Sequence, residues 1–176
     1  MKNMLFIMNP KAGRTTLKNS LVDVLEVFCN NDYAVRTYLT KSADDAERIV
    51  QEEGANYDVI VCAGGDGTLG NTVTGYMKSG IKVPLGYIPC GSTNDFARSM
   101  DIPRETVEAA EMIVKAEPFS IDIGSLNDKN FVYVAAFGMF SDTSYATPQN
   151  MKNIFGHAAY VLQGIKSLAN VPSYKM

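Results

Sequence analysis

Apolar residues in this chain follow two periods. Residues 4–8, "MLFIM", form a short apolar run that stops at Asn9-Pro10. Proline cannot continue a strand ladder, so a strand followed by a loop is predicted. Leu17, Leu21, Val24, Leu25 and Phe28 then recur at helical spacing, which predicts an amphipathic helix over residues 15–30. "YAVRTYL" at 33–39 returns to a strand pattern. "SADDAERIVQEEG" at 42–54 reads as a helix with Ser42 as its cap and Gly54 as its stop. Residues 57–63, "YDVIVCA", are apolar on both faces, as in a central parallel strand. A helix from Thr68 to Lys78 follows, then the strand "VPLGYIP", then a short helix within "CGSTNDFARSM". After Ile102-Pro103, Val107, Ala110, Ile113 and Val114 share one helical face. Strands alternating with helices predict an α/β domain, a parallel sheet covered on both sides.

The pattern changes after Pro118. Residues 119–138 read as two β runs joined by Asn127-Asp128-Lys129-Asn130, the mark of an antiparallel hairpin. A further helix is predicted within 147–171, with Met151, Ile154, Phe155, Ala158, Leu162 and Ile165 on one stripe. The expected division is a first domain over 1–120 and the beginning of a β-rich second domain over 121–176.

Composition narrows the class. The 176 residues are 46% hydrophobic and 20% charged, as in a globular protein, and the net charge of −3 argues against a nucleic-acid partner. No apolar run is long enough for a membrane span, and the first apolar run ends in Asn-Pro rather than a cleavage pattern, so a cytoplasmic location is expected. Cys29, Cys62 and Cys90 sit in apolar segments without metal-ligand spacing and are expected to be reduced core thiols. His157 reads as a packing residue. Lys152 and Lys166 are placed to meet anionic headgroups if their helix faces a membrane.

The chemistry concentrates in glycine loops at predicted strand ends. A strand that ends in Gly64-Gly65-Asp66-Gly67-Thr68 and feeds a helix presents backbone N–H groups without Cβ obstruction, a place that attracts phosphate. A carboxylate among phosphates repels them unless a cation lies between, so Asp66 points to magnesium. The plain structural alternative is a tight turn with Asp66 as a helix cap. If Asp66 acts on metal and phosphate alone, Asp66→Asn leaves the stability of the fold nearly unchanged. "NPKAGR" after the first strand and "PCGSTNDFAR" after the fourth add two more polar loops to the same rim, which favours a nucleotide site.

"NPKAG", "GGDGTLGN" and "GSTNDFARSMDIP", followed by "IDIG", resemble the catalytic domain of the diacylglycerol, sphingosine and ceramide kinase family, in particular its soluble bacterial lipid kinases. The resemblance implies a three-layer nucleotide-binding domain similar to those of NAD kinase and phosphofructokinase, followed by a β-sandwich domain. It implies ATP contacts from Asn9, Pro10, Gly13 and Arg14, from Thr40, from Gly64, Gly65, Asp66, Gly67, Thr68, Leu69 and Gly70, and from Thr93. Asp66, Asp95 and Asp122 match acidic positions of a water and magnesium network. Where the family often has Asn-Glu, this chain has Gly70-Asn71, so a carboxylate role at 71 does not carry over.

The implied activity is ATP-dependent phosphorylation of a lipid hydroxyl, most directly that of diacylglycerol, at the inner face of a membrane. The resemblance leaves room for a homodimer. A soluble-substrate kinase of the NAD kinase type and a non-catalytic nucleotide-binding module stand as alternatives. In this family a C-terminal β-rich domain carries the general base. No carboxylate follows Asp142 here, so residues 1–176 are expected to be an incomplete enzyme that does not turn over alone.

Overall fold

The computed structural model describes residues 1–12, 16–126 and 129–133. Strand β1 (Lys2–Met8) pairs in parallel with β2 (Tyr33–Leu39) on one side and β3 (Val59–Gly64) on the other. Strand β3 pairs in parallel with β4 (Leu85–Pro89), giving the order β2-β1-β3-β4. All residues of β3 are buried, as its two-sided apolar run requires.

Side-chain alternation along the strands divides the core into two faces. Met4, Phe6 and Met8 of β1 and Val59, Val61 and Ala63 of β3 meet Leu17, Val24 and Phe28 of α1 (Thr16–Asn30) and Ala109 and Ala110 of α5 (Thr106–Lys115). The Phe6 and Phe28 rings meet edge to face at 5.6 Å. On the other face, Leu5, Ile7 and Ile60 pack on Ala46, Ile49 and Val50 of α2 (Asp45–Glu53). Cys62 and Tyr87 pack on Leu69 and Val73 of α3 (Asp66–Ser79) and on Ala97 of α4 (Asp95–Ser99). Burying each large apolar side chain contributes about 1.5–3 kcal/mol, so the three-layer α/β/α arrangement follows from the apolar pattern.

Helices α2 and α3 cross closely. Gly75 lies against the Glu47 carbonyl, which leaves no room for a Cβ, and Lys78 pairs with Glu47 at 2.6 Å. The hairpin β5 (Gly124–Leu126) and β6 (Lys129–Phe131) is antiparallel, as predicted. Its flanking Ile123 and Val132 pack on the Cys62–Leu69–Val73 cluster, so it belongs to the compact unit Met1–Tyr133. The helix predicted within 147–171, with His157, Lys152 and Lys166, lies outside the described residues.

Three local expectations change. Ser42 does not cap α2: the helix starts at Asp45, whose carboxylate reaches back to accept from the backbone N–H groups of Lys41 (2.7 Å) and Ser42 (3.2 Å). Gly54 follows the last residue of α2 as its C-cap, as predicted, and is a packing position as well. Its φ is −54°, a single 3-10 turn continues through Asn56, and a Cβ there would lie 2.8 Å from the Ile81 side chain. Helix α3 begins at Asp66 rather than Thr68, with Gly65 as its N-cap. Cys62 and Cys90 are buried, whereas Cys29 is exposed near the end of α1. No described helix is long and apolar enough to cross a membrane.

Candidate nucleotide site

Hydrogen bonds that continue beyond the strand ends set the loops in one row. Asn9 N–H donates to the Ala63 carbonyl at 3.0 Å, Thr40 N–H to Met8 at 2.9 Å, and Cys90 N–H to Gly64 at 2.7 Å. Strand β1 has β2 on one side and β3 on the other, while α1 and α3 pack on opposite faces of the sheet. The connections leaving β1 and β3 therefore diverge. This is the topological switch point where open parallel sheets bind ligands, outside the carboxyl ends of the strands.

Asn9 closes the first loop. Its Oδ1 accepts from Lys11 N–H at 3.0 Å, and its Nδ2 donates to Thr68 Oγ1 at 3.0 Å, across the switch point. Asn9 and Thr68 thus spend their polar atoms on each other and on the backbone, and act on the site by holding it in shape. Pro10 is half-buried beside them, and Thr40 is buried at the end of β2. Gly13 and Arg14 lie outside the described residues.

The glycines of the second loop separate by what surrounds them. A Cβ at Gly64 would lie 2.6 Å from the Thr68 side chain, and one at Gly65 would lie 3.2 Å from Gly91 Cα. A Cβ at Gly91 would lie 2.6 Å from Gly65 Cα. Gly65 and Gly91 let the loops after β3 and β4 touch. Among the described residues, a Cβ at Gly67 or Gly70 would meet nothing within 4 Å. Among the described residues no side chain caps α3, and its first N–H groups, at Asp66 and Gly67, have no acceptor within the helix. A fourteen-residue helix thus directs its positive end at open space on the switch point. Leu69 does not share this face: it is 2% exposed and packs in the core with Cys62 and Tyr87, so any contact it makes to a ligand is through its backbone.

Asp66 is engaged in a way its motif does not reveal. Its two carboxylate oxygens accept from the backbone N–H groups of Asp95 and Phe96, each at 3.2 Å. The first residue of α3 therefore caps α4, not its own helix. Asp95 lies 3.6 Å from Arg98, and Asp122 is exposed in the segment before β5. Among the described residues no three His, Cys, Asp or Glu side chains converge to hold a metal, so Asp66, Asp95 and Asp122 do not form a cage by themselves. Magnesium usually binds through one or two carboxylates together with substrate phosphates. Asp66 retains acceptor capacity beyond its two N–H partners, and it sits beside the α3 N-terminus, so the donor set fits a phosphate-borne magnesium ion.

Thr93 is half-buried, and its carbonyl accepts from Arg98 Nη2 at 3.4 Å. Asn71, at the departure from the family pattern, donates to the Ala43 carbonyl at 2.8 Å, which a carboxylate cannot do. Sequence reasoning missed Asn94 and Tyr87. Asn94 is buried with φ of 52°, and its amide accepts from Gly91 N–H and donates to Gly91 C=O, both at 2.8 Å. The Tyr87 hydroxyl donates to the Gly64 carbonyl at 3.1 Å, and burial, with Asp66 nearby, pushes its pKa well above the ordinary phenol range. The spacing Gly91-x-x-Asn94 was the available signal for the first. Nothing local marks the second.

A four-stranded parallel sheet flanked by helices, with a glycine-bearing helix at its switch point, defines an α/β domain of the open-sheet class. Residues 3–126 match the family model of the diacylglycerol kinase catalytic domain, and the chain belongs to that family. It is 36% identical over 173 residues to a diacylglycerol kinase of Bacillus subtilis, covering 97% of this chain and 57% of that protein. The same identity holds over 171 residues with a diacylglycerol kinase of Staphylococcus aureus, covering 95% and 53%. A crystal structure of a diacylglycerol kinase from Bacillus anthracis superposes with a TM-score of 0.69 at 31% identity, covering 74% of this chain and 45% of that one. The chain spans about half the length of the curated relatives it matches.

Proposed function

We propose that this chain supplies the nucleotide-binding part of an ATP-dependent lipid kinase that transfers the γ-phosphate to the hydroxyl of diacylglycerol at a membrane surface, giving phosphatidic acid. The observation that carries the reading is the uncapped N-terminus of α3 at the β1/β3 switch point, open above Gly67 and flanked by Asp66. The lipid acceptor is inferred from the diacylglycerol kinases it resembles.

Phosphoryl transfer asks the protein mainly for positioning and charge stabilisation. The amides of Asp66 and Gly67 and the α3 dipole hold phosphate oxygens. Asn9 and Thr68 fix the distance between the first two loops. Asp66, oriented by the amides of Asp95 and Phe96, would hold magnesium, which neutralises charge on the phosphates when bound. The proton of the acceptor hydroxyl goes to a carboxylate outside the described residues, so turnover requires more than this rim.

The test is a labelled-ATP assay on the protein in its full native length with magnesium. Diacylglycerol vesicles, sphingoid bases, phospholipids and NAD serve as acceptors. Label in phosphatidic acid supports the reading. Label in phosphorylated NAD replaces it with the soluble-substrate kinase, and nucleotide binding without transfer to any acceptor replaces it with a regulatory module.

A further inference from the structure

We infer that Asn94 is a positioning residue for the phosphate site: by closing the 91–94 turn it sets the start of α4, and the start of α4 aims the Asp66 carboxylate. The inference rests on the nucleotide-site reading above and adds a residue to it.

The coupling runs through a short series of contacts. The Asn94 amide grips one residue in both directions, accepting from Gly91 N–H and donating to Gly91 C=O. Gly91 lies against Gly65, with no room for a Cβ on Gly91 and a tight 3.2 Å approach for one on Gly65, so the turn is seated directly on the loop that opens α3. Tyr87 joins the same two loops from below, its hydroxyl on the Gly64 carbonyl and 3.5 Å from Asn94 Oδ1. At φ of 52°, Asn94 turns the chain so that the next two amides, of Asp95 and Phe96, both meet Asp66. Asparagine is among the few residues that adopt this left-handed conformation readily. It is also the side chain that can donate and accept at once across Gly91.

The chemical consequence concerns charge. A carboxylate on the first residue of an uncapped helix is itself drawn to that helix's positive end, where it would compete with phosphate. Held by the α4 amides, Asp66 is kept off the α3 amides and beside them, where a cation between carboxylate and phosphate turns repulsion into attraction. Released, the same carboxylate is no longer aimed to hold that cation.

The decisive variant is Asn94→Gly, which keeps access to the left-handed backbone while deleting the amide. Calorimetry compares ADP and ATP affinities with and without magnesium for wild type, Asn94→Gly, Asp66→Asn and the double variant. Asn94→Gly is expected to weaken magnesium-dependent ATP binding by about tenfold and to leave metal-free ADP binding close to wild type. In the Asp66→Asn background the loss is expected to shrink, because the two residues act as one unit. Equal losses with and without magnesium, or full additivity with Asp66→Asn, would overturn the proposal. If Asn94→Gly does not fold, Tyr87→Phe takes its place, removing the hydroxyl beneath the same turn, with the same magnesium-selective loss expected and the same results overturning the proposal. Wild type that binds no nucleotide at all would defeat the nucleotide-site reading instead. The positioning role then stands or falls on amide exchange at Asp95 and Phe96, with faster exchange in Asn94→Gly supporting it and unchanged exchange overturning it.

Discussion

The side-chain amide of Asn9 donates to the hydroxyl of Thr68 at 3.0 Å, joining the loop after β1 to the first turn of α3. The residues are 59 positions apart, and the bond spans the gap where the connections from β1 and β3 part. It converts two neighbouring loops into one wall of a site. Those side chains are partnered, whereas the amides of Asp66 and Gly67 have no acceptor within the helix.

Gly67 separates ligand from fold. A methyl group there meets no atom of the described residues within 4 Å, so Gly67→Ala should fold as wild type and gain up to about 1 kcal/mol from helix propensity. The same methyl stands in the phosphate space, and ATP affinity should fall by about tenfold or more. Gly91→Ala should behave in the opposite way, losing about 1–3 kcal/mol of stability through overpacking. Thermal melts paired with calorimetry check both. A Gly67→Ala protein with undiminished affinity would move the phosphates away from this terminus.

Asp66→Asn is expected to lower stability, contrary to the expectation drawn from the motif. The carboxylate accepts from two amides, and a carboxamide offers one oxygen to them and turns an N–H toward the other. A loss of about 1 kcal/mol is expected, measured by urea denaturation. Unchanged stability would show that the α4 cap carries no weight.

Asp45 should make the loop after β2 sensitive to acid. The backbone amides of Lys41 and Ser42, in that order, hold its carboxylate down at about 2, against an ordinary value of 3.8. A depressed folded-state value stabilises the protein fully above the ordinary range, and the contribution is lost as pH falls toward 2. Wild type should therefore exceed Asp45→Asn in stability at pH 6, and the gap should close as pH falls through this window. A gap independent of pH would assign the effect to packing.

The thiols should react unequally. Burial pushes Cys62 and Cys90 up to about 12, with Cys62 also touched by the Thr72 hydroxyl at 3.3 Å, whereas Cys29 is exposed. Because the thiolate is the reactive form, an aromatic disulfide reagent at pH 8 should titrate Cys29 alone in the native protein and all three cysteines after unfolding. Rapid modification at Cys62 would mean that β3 opens readily.

The strands, the alternation of helices between them and the glycine loops at the strand ends could all be read along the chain, because local period records which face of an element is buried. "MLFIM" and "YDVIV" identify buried strands without any partner in view. Within the loop motif, however, adjacent letters have unlike fates. Successive helical residues are turned by about 100°, so Gly67 and Gly70 face open space while Thr68, Leu69, Thr72 and Val73 are buried. The sequence named the whole block as ligand-binding. Helical phase, fixed by where α3 starts, decides which members are buried and which are left open.

Strand order was not available from local pattern. The placement of β3 beside β1 is a pairing between distant segments, and only that pairing brings Asn9 to Thr68 and the loop of Gly91 to Gly65. Likewise the carboxylate of Asp66 announced a charge at a strand end, but its partners, the amides of Asp95 and Phe96, are 29 and 30 residues away. A hydrogen bond depends on distance and direction in space, and residue type records neither. The sequence by itself therefore determined the elements and the chemistry carried by each loop, while tertiary structure alone decided which loops touch and toward what Asp66 is aimed.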